Sequence, residues 1–288
     1  MKKVIRKVMK IQRGPDVVLK SLTRGLDKTN TRHNVNPNLG EMSETVHVIS
    51  NVEALKWAIQ EKKAGKIKTL VTGPNITLLP SDDGKILCDP AIDIILLPSE
   101  WTKDAYAKDC PEIEGKIKVW PSGVEIPEQS LRKKNTFIVF KKQYDENAYN
   151  KIIEKLEQSQ VQFKVLVYGS FNQRQYFDLL EEAKGMIYLQ KSESQGIALQ
   201  EAWARNVPTL VSNSLSYTYA ATNVTVSGQI SAPYLTNEAG MFFDNSGEFP
   251  KKLTEFIEKI ETFTPREYCI KKLSDEASAR TYIEHIFK

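Results

Sequence analysis

Residues 188–213 read YLQKSESQGIALQEAWARNVPTLVSN, and this stretch decides the fold class. An apolar run ends near Leu189, a short polar turn follows, and a helical pattern opens at Gly196. Pro208 then introduces a second β-branched run, Thr209–Ser212. Strand, turn, helix, strand is the repeating unit of a parallel sheet wound by helices. Ser194 suits the N-cap position, and Gly196 removes a side chain where the helix begins. The amides of Gly196, Ile197 and Ala198 lack intrahelical acceptors and carry the positive end of the helix dipole. A helix start of this kind binds phosphate at the carboxyl edge of an open sheet.

The same alternation extends outward in both directions. Upstream, Val4–Met9, Val46–Ser50, Thr69–Thr72, Ile92–Leu97 and Ile117–Trp120 read as strands. Helical patterns separate them over Pro15–Lys28, Val52–Ala64 and Trp101–Cys110, while Thr29–Gly40 reads as an exposed loop. The polar segment VEIPEQSLRKKN has no apolar period and suits a linker. Beyond it, Phe137–Phe140 and Phe163–Tyr168 are nearly continuous apolar runs, as expected of strands covered on both faces. Helix Gln173–Ala183, strand Met186–Leu189 and helix Ile197–Arg205 follow, and Pro265–Phe287 reads as helical throughout. The expectation is therefore α/β, with two Rossmann-like domains over 1–125 and 135–265 and a terminal helical segment over 266–288.

Composition sets the bounds. The 288 residues are 41% hydrophobic and 26% charged, an ordinary globular balance. A net charge of +4, from 40 basic and 36 acidic residues, is too even for a nucleic-acid-binding protein. The three cysteines, Cys88, Cys110 and Cys269, are far apart and suggest neither a disulfide framework nor a zinc site. No apolar run reaches the roughly 18–20 residues of a membrane span. The expected location is the cytoplasm, and the basic amino-terminal segment is compatible with peripheral membrane contact.

Two carboxylates flank the helix start. Glu193 precedes it and Glu201 lies on it, so the pair can address different parts of one extended ligand through sugar and ribose hydroxyls. By itself the pair is a weak signal, since an acid before a helix also serves the dipole and an acid on a helix is commonly solvated. Glu201, however, sits beside Ala202, Trp203 and Ala204 in an apolar helix, where an acid needs a partner. The Asp82–Asp83 pair reads as turn chemistry.

With Ser194, Gly196 and the apolar helix between them, Glu193 and Glu201 resemble the E-x7-E motif of retaining glycosyltransferases of family 4. Ile94–Ala105, Ile117–Val124 and Ser231–Phe243 fall in the order that family shows. The resemblance implies the GT-B architecture, two Rossmann-like domains facing a cleft, with a final helix crossing back to the first domain. It implies that Glu193 addresses the donor sugar, Glu201 the ribose, and the amides of Gly196, Ile197 and Ala198, near Ser194, the diphosphate. Retention at the anomeric carbon comes from the resemblance alone, and the design requires neither a metal nor a cofactor beyond the UDP- or GDP-linked donor.

Departures from the family pattern are equally specific. The usual Arg and Lys after the first strand of the second domain are replaced by Lys141 and Lys142, and strand alternation leaves open which faces the ligand. Arg13 and Gly14 stand where relatives carry a Gly pair, at the mouth of the expected cleft. Gly73 and Asn75, in a run without the family's histidine, are candidates for contact with sugar or acceptor. His33, His47 and His285 have no catalytic context. The expected partners are a nucleotide-sugar and a carbohydrate, glycan or lipid-linked acceptor. The rival expectations are a non-catalytic nucleotide-sugar-binding protein and a nucleotide-sugar epimerase on the same architecture.

Overall fold

The computed structural model describes residues 14–37, 41–128 and 135–287. The expected strand Val4–Met9 and the candidate Arg13 lie outside them. The chain divides into two compact units.

The first unit opens with α1 (Gly14–Lys28), whose Val18, Leu22 and Leu26 recur every four residues and are buried on one face. Then come β1 (Thr45–Ser50), α2 (Val52–Lys63), β2 (Thr69–Asn75), β3 (Ile94–Leu97), α3 (Glu100–Asp109) and β4 (Ile117–Val119). Asn51 caps α2 by accepting from the amides of Glu53 and Ala54 at 2.9 and 3.2 Å. Ser99 and Thr102 form a capping box at α3. The four strands are parallel and lie in the order β1-β2-β3-β4. Asp82 accepts from the Leu79 amide at 2.9 Å, the turn chemistry expected of the aspartate pair. One expectation is corrected here: Cys88 and Cys110, separated by 22 positions, are paired as a disulfide, while Cys269 is free and buried. Sequence spacing alone could not show that the short helix ending at Cys88 returns to the end of α3.

The second unit holds β5 (Thr136–Lys141), α4 (Glu146–Gln158), β6 (Phe163–Val167), α5 (Gln173–Glu182), β7 (Ala183–Leu189), α6 (Ile197–Ala204) and β8 (Thr209–Ser212). A two-stranded ribbon follows, β9 (Ser216–Thr218) and β10 (Thr225–Ser227), whose Thr218–Val226 segment groups with the first unit; the second unit resumes with β11 (Gly240–Phe243), α7 (Phe249–Glu258) and α8 (Pro265–Lys272). The five-stranded sheet is parallel, in the order β11-β8-β7-β5-β6. One face is covered by α4 and α7 through Ile152, Leu156, Leu253 and Phe256. The other is covered by α5, α6 and α8 through Tyr176, Leu180, Leu199, Trp203 and Cys269. Coverage on both faces is why the strand sequences read as unbroken apolar runs.

The expected helix over Pro265–Phe287 is interrupted. It ends at Lys272, and after Leu273 and Ser274 the chain resumes as α9 (Asp275–Phe287), which belongs to the first unit. There Arg24 holds the fully buried Asp275 carboxylate through two hydrogen bonds of 2.6 and 3.1 Å. Trp120 Nε1 donates to the Ser278 carbonyl at 3.1 Å, and His285 Nε2 lies 3.0 Å from the Val119 carbonyl oxygen. Gly25 lets the two helices approach closely: a Cβ there would sit 2.7 Å from that of Ala279. No helix of the described residues is long and apolar enough to cross a membrane.

Candidate functional site

Strand order places the site. From β5 the chain crosses to β6 on one side, then returns past β5 to β7 on the other, so the winding reverses between β5 and β7. In open parallel sheets the crevice outside the carboxyl ends of the strands at such a reversal takes the ligand. The residues that leave those two strands are Lys142 and the Gln190–Gly196 turn, which are held together. The Lys142 amide donates to the Leu189 carbonyl at 3.1 Å. The Gln143 amide donates to Gln190 Oε1 at 2.7 Å.

Glu193 is 8% exposed. Its backbone amide donates to the Ile230 carbonyl at 3.0 Å, and Ile230 donates in turn to the Ser214 carbonyl at 3.1 Å. Its Oε1 accepts from Lys142 Nζ at 2.9 Å and from the Tyr188 hydroxyl at 2.6 Å. The two lysines pair with different carboxylates. Lys141 Nζ turns away to Glu146, at 2.6 and 2.7 Å from its two oxygens, and lies 4.0 Å over the Tyr149 ring. Lys142 Nζ sits 4.9 Å from the centre of the Tyr168 ring. Tyr188 is buried, stacked 4.9 Å from Phe140, and burial together with the neighbouring carboxylate pushes its phenol well above the usual range. It therefore donates as a neutral hydroxyl.

Helix α6 begins at Ile197, where the sequence places the helix, and ends one residue earlier, at Ala204. Its N-cap is Gly196, with φ 82° and ψ 47°, a left-handed conformation that glycine adopts without the cost of a side chain. Ser194 is exposed and does not cap the helix, a correction to the expected role. With glycine at the cap, no side-chain hydrogen bond caps the helix, and Ile197 and Ala198 are partly buried residues. Glu193 borders this helix end: a Cβ on Gly196 would lie 3.8 Å from that of Glu193.

Glu201 is partly exposed, and its Oε1 accepts from Gln173 Nε2, at the start of α5, at 2.6 Å. Arg205, one turn further, donates to the Glu201 carbonyl at 3.2 Å and packs 3.7 Å over the Phe177 ring. The acid in an apolar helix thus has the partner its position demanded. Tyr188, Gln173 and Arg205 were not among the sequence candidates. Only Tyr188 carried a signal, since a tyrosine in a buried strand must find a partner for its hydroxyl. A bond between residues 28 positions apart, such as Gln173 to Glu201, has none.

The remaining candidates belong to the first unit. Gly14 is exposed at the start of α1, and Asn75 is exposed at the end of β2. Gly73 has φ 99°, and its carbonyl oxygen lies 2.7 Å from His47 Nε2. His47 also stacks on Tyr282, and desolvation lowers its pKa to about 4. It is a structural residue of the first unit, as its sequence context suggested. Among the described residues, no cluster of His, Cys, Asp or Glu is arranged to hold a metal ion.

The fold has counterparts in solved structures. The lipopolysaccharide outer core galactosyltransferase WaaB in its apo form superposes with a TM-score of 0.56 at 13% identity, over 94% of this chain and 80% of that one. Sucrose-phosphate synthase from Thermosynechococcus elongatus gives 0.56 at 11%, over 94% and 76%. The pneumococcal O-GlcNAc transferase GtfA in complex with UDP and GlcNAc gives 0.54 at 8%, over 80% of this chain and 54% of that one. The chain shares the fold of these enzymes. No protein-family model matches its sequence, and no curated protein matches it by sequence.

Proposed function

We propose that the protein transfers a sugar from a nucleotide-sugar, UDP- or GDP-linked, to a carbohydrate, glycan or lipid-linked acceptor, with retention, in the manner of family 4 glycosyltransferases. In this reading Glu193 addresses hydroxyls of the donor sugar and Glu201 those of the ribose. The amides of Gly196, Ile197 and Ala198 receive the diphosphate together with Lys142. Negative charge grows on the departing diphosphate as the glycosidic bond breaks. The Lys142 ammonium and a helix amino terminus stabilise that charge electrostatically without a metal. Cytoplasmic action, with any membrane contact confined to the periphery, belongs to the same reading.

The observation that carries it is the position of the Lys142–Glu193 pair: it stands where the winding of the sheet reverses, beside a helix whose glycine cap gives it no side-chain hydrogen bond. The likeness to transferase structures, one of them bound to UDP and GlcNAc, supports the same ligand class.

Thermal unfolding with a panel of UDP-, GDP- and ADP-sugars tests it, because a ligand that binds only the folded state raises the midpoint. One nucleotide class should raise it, and incubation of that donor with candidate acceptors should give a glycoside of unchanged anomeric configuration by NMR. A panel without any shift removes the proposal. Binding without turnover reduces it to a nucleotide-sugar-binding protein, and an epimerised donor turns it into an epimerase.

A further inference from the structure

The proposed anion site already contains an anion. The Glu193 carboxylate pairs with the Lys142 ammonium, and the Cβ of the same residue borders the Gly196 cap of α6. A carboxylate whose side chain is only 10% exposed is costly unless it is paired and hydrogen-bonded. Its Oε1 takes two donors that differ in mobility. Tyr188 is rigid, since its ring is buried and stacked on Phe140 within the sheet. Lys142 sits on a flexible stem, is 23% exposed, and has the face of Tyr168 beside its ammonium.

We propose that Glu193 serves as a built-in counter-ion for the empty site. The donor diphosphate takes Lys142 from it, and the Tyr188 hydroxyl is the positioning group that keeps Glu193 in place through the exchange. The inference rests on the reading of this site as a diphosphate site. A diphosphate offers Lys142 more negative charge than one carboxylate does, so the exchange runs toward the ligand. The Tyr188 ring is buried and stacked on Phe140, and burial raises its phenol well above the usual range, so its hydroxyl remains a donor to Glu193 when the lysine departs. An acid freed from its lysine but still held by a buried hydroxyl is oriented for the hydroxyls of the incoming sugar.

Calorimetric titration of the full chain with UDP, GDP and ADP tests this, using whichever nucleotide binds the unmodified protein. Lys142→Met should weaken that nucleotide at least roughly tenfold, as expected when a charged partner of a phosphate is lost. Glu193→Gln removes the competitor and should tighten binding roughly threefold or more, the scale of one partly exposed ion pair. In the Lys142→Met background, Glu193→Gln should have no effect. Tyr188→Phe removes the hydroxyl that shares Oε1 with Lys142 and should weaken the nucleotide a few-fold, but not in the Glu193→Gln background. If no nucleotide binds the unmodified protein, the donor reading itself falls. If one binds and Glu193→Gln weakens it or leaves it unchanged, the counter-ion is refuted while the donor reading stands. If Tyr188→Phe acts equally with and without the carboxylate, the positioning role of Tyr188 is refuted.

Discussion

Glu193 and Glu201 stand eight positions apart in sequence and occupy unlike surroundings. Glu193 is nearly buried between a lysine and a tyrosine, and Glu201 is partly exposed and accepts from a glutamine amide. Replacement should separate them. Glu201→Gln should weaken nucleotide binding by about 1.5–3 kcal/mol, the worth of a hydrogen bond to a charged group, measured by calorimetry. Glu193→Ala should impair turnover without weakening nucleotide binding. Lys141→Ala should leave nucleotide binding unchanged, because Lys141 is engaged by Glu146, whereas Lys142→Ala should weaken it. The two glutamates were legible because their spacing around a helix start is a local feature. Which lysine joins them was not, because both leave the strand together and the decision falls to Glu146 and Glu193, distant in sequence from each other. His47 gives a separate check. Neutral in the folded chain with a pKa of about 4, it takes a proton near 6.5 once unfolded, so acidification through that window favours unfolding. Stability should be constant above pH 6.5 with respect to this group and fall by about 2–3 kcal/mol toward pH 4. The pH profile of denaturant unfolding should flatten across that window in His47→Asn.

Among the elements, α6 carries the most. Its cap residue must adopt a positive φ, and a methyl group there would also press on Leu199 Cδ1 at 3.2 Å. Gly196→Ala should cost about 1–2 kcal/mol in denaturant unfolding and weaken nucleotide binding by tilting the first turn. The helices and sheet strands of the second unit were readable because apolar period and length distinguish them. The ribbon of β9 and β10 was not: its strands have three residues each, several of them exposed, and carry no alternation to detect. Its base nevertheless fixes the backbone of Glu193 through Ile230. The break between α8 and α9 was hidden for a different reason. Leu273 and Ser274 carry neither glycine nor proline, and the helix ends there because α8 and α9 pack in different units.

At the scale of the molecule, the first unit is assembled from separated lengths of chain. Its sheet and helices α1 to α3 precede residue 124, and α9 arrives only after the whole second sheet. The Arg24–Asp275 pair is a principal bond of that closure. Because Asp275 is fully buried, Arg24→Met would strand a charge away from water and should cost about 3–5 kcal/mol. Unfolding monitored by Trp120, whose indole donates to Ser278 on α9, should report that loss.

The late arrival of α9 has a consequence during synthesis. The first four strands leave the ribosome early but must wait for Asp275–Phe287 before Trp120, His47 and the α1 surface find their cover. The second sheet, by contrast, has every strand it needs as soon as β11 emerges. The unit translated second is therefore free to finish folding ahead of the unit translated first. A chain stalled or clipped before Asp275 would carry one finished unit and one open apolar face, which quality-control proteases and chaperones can distinguish from the complete protein.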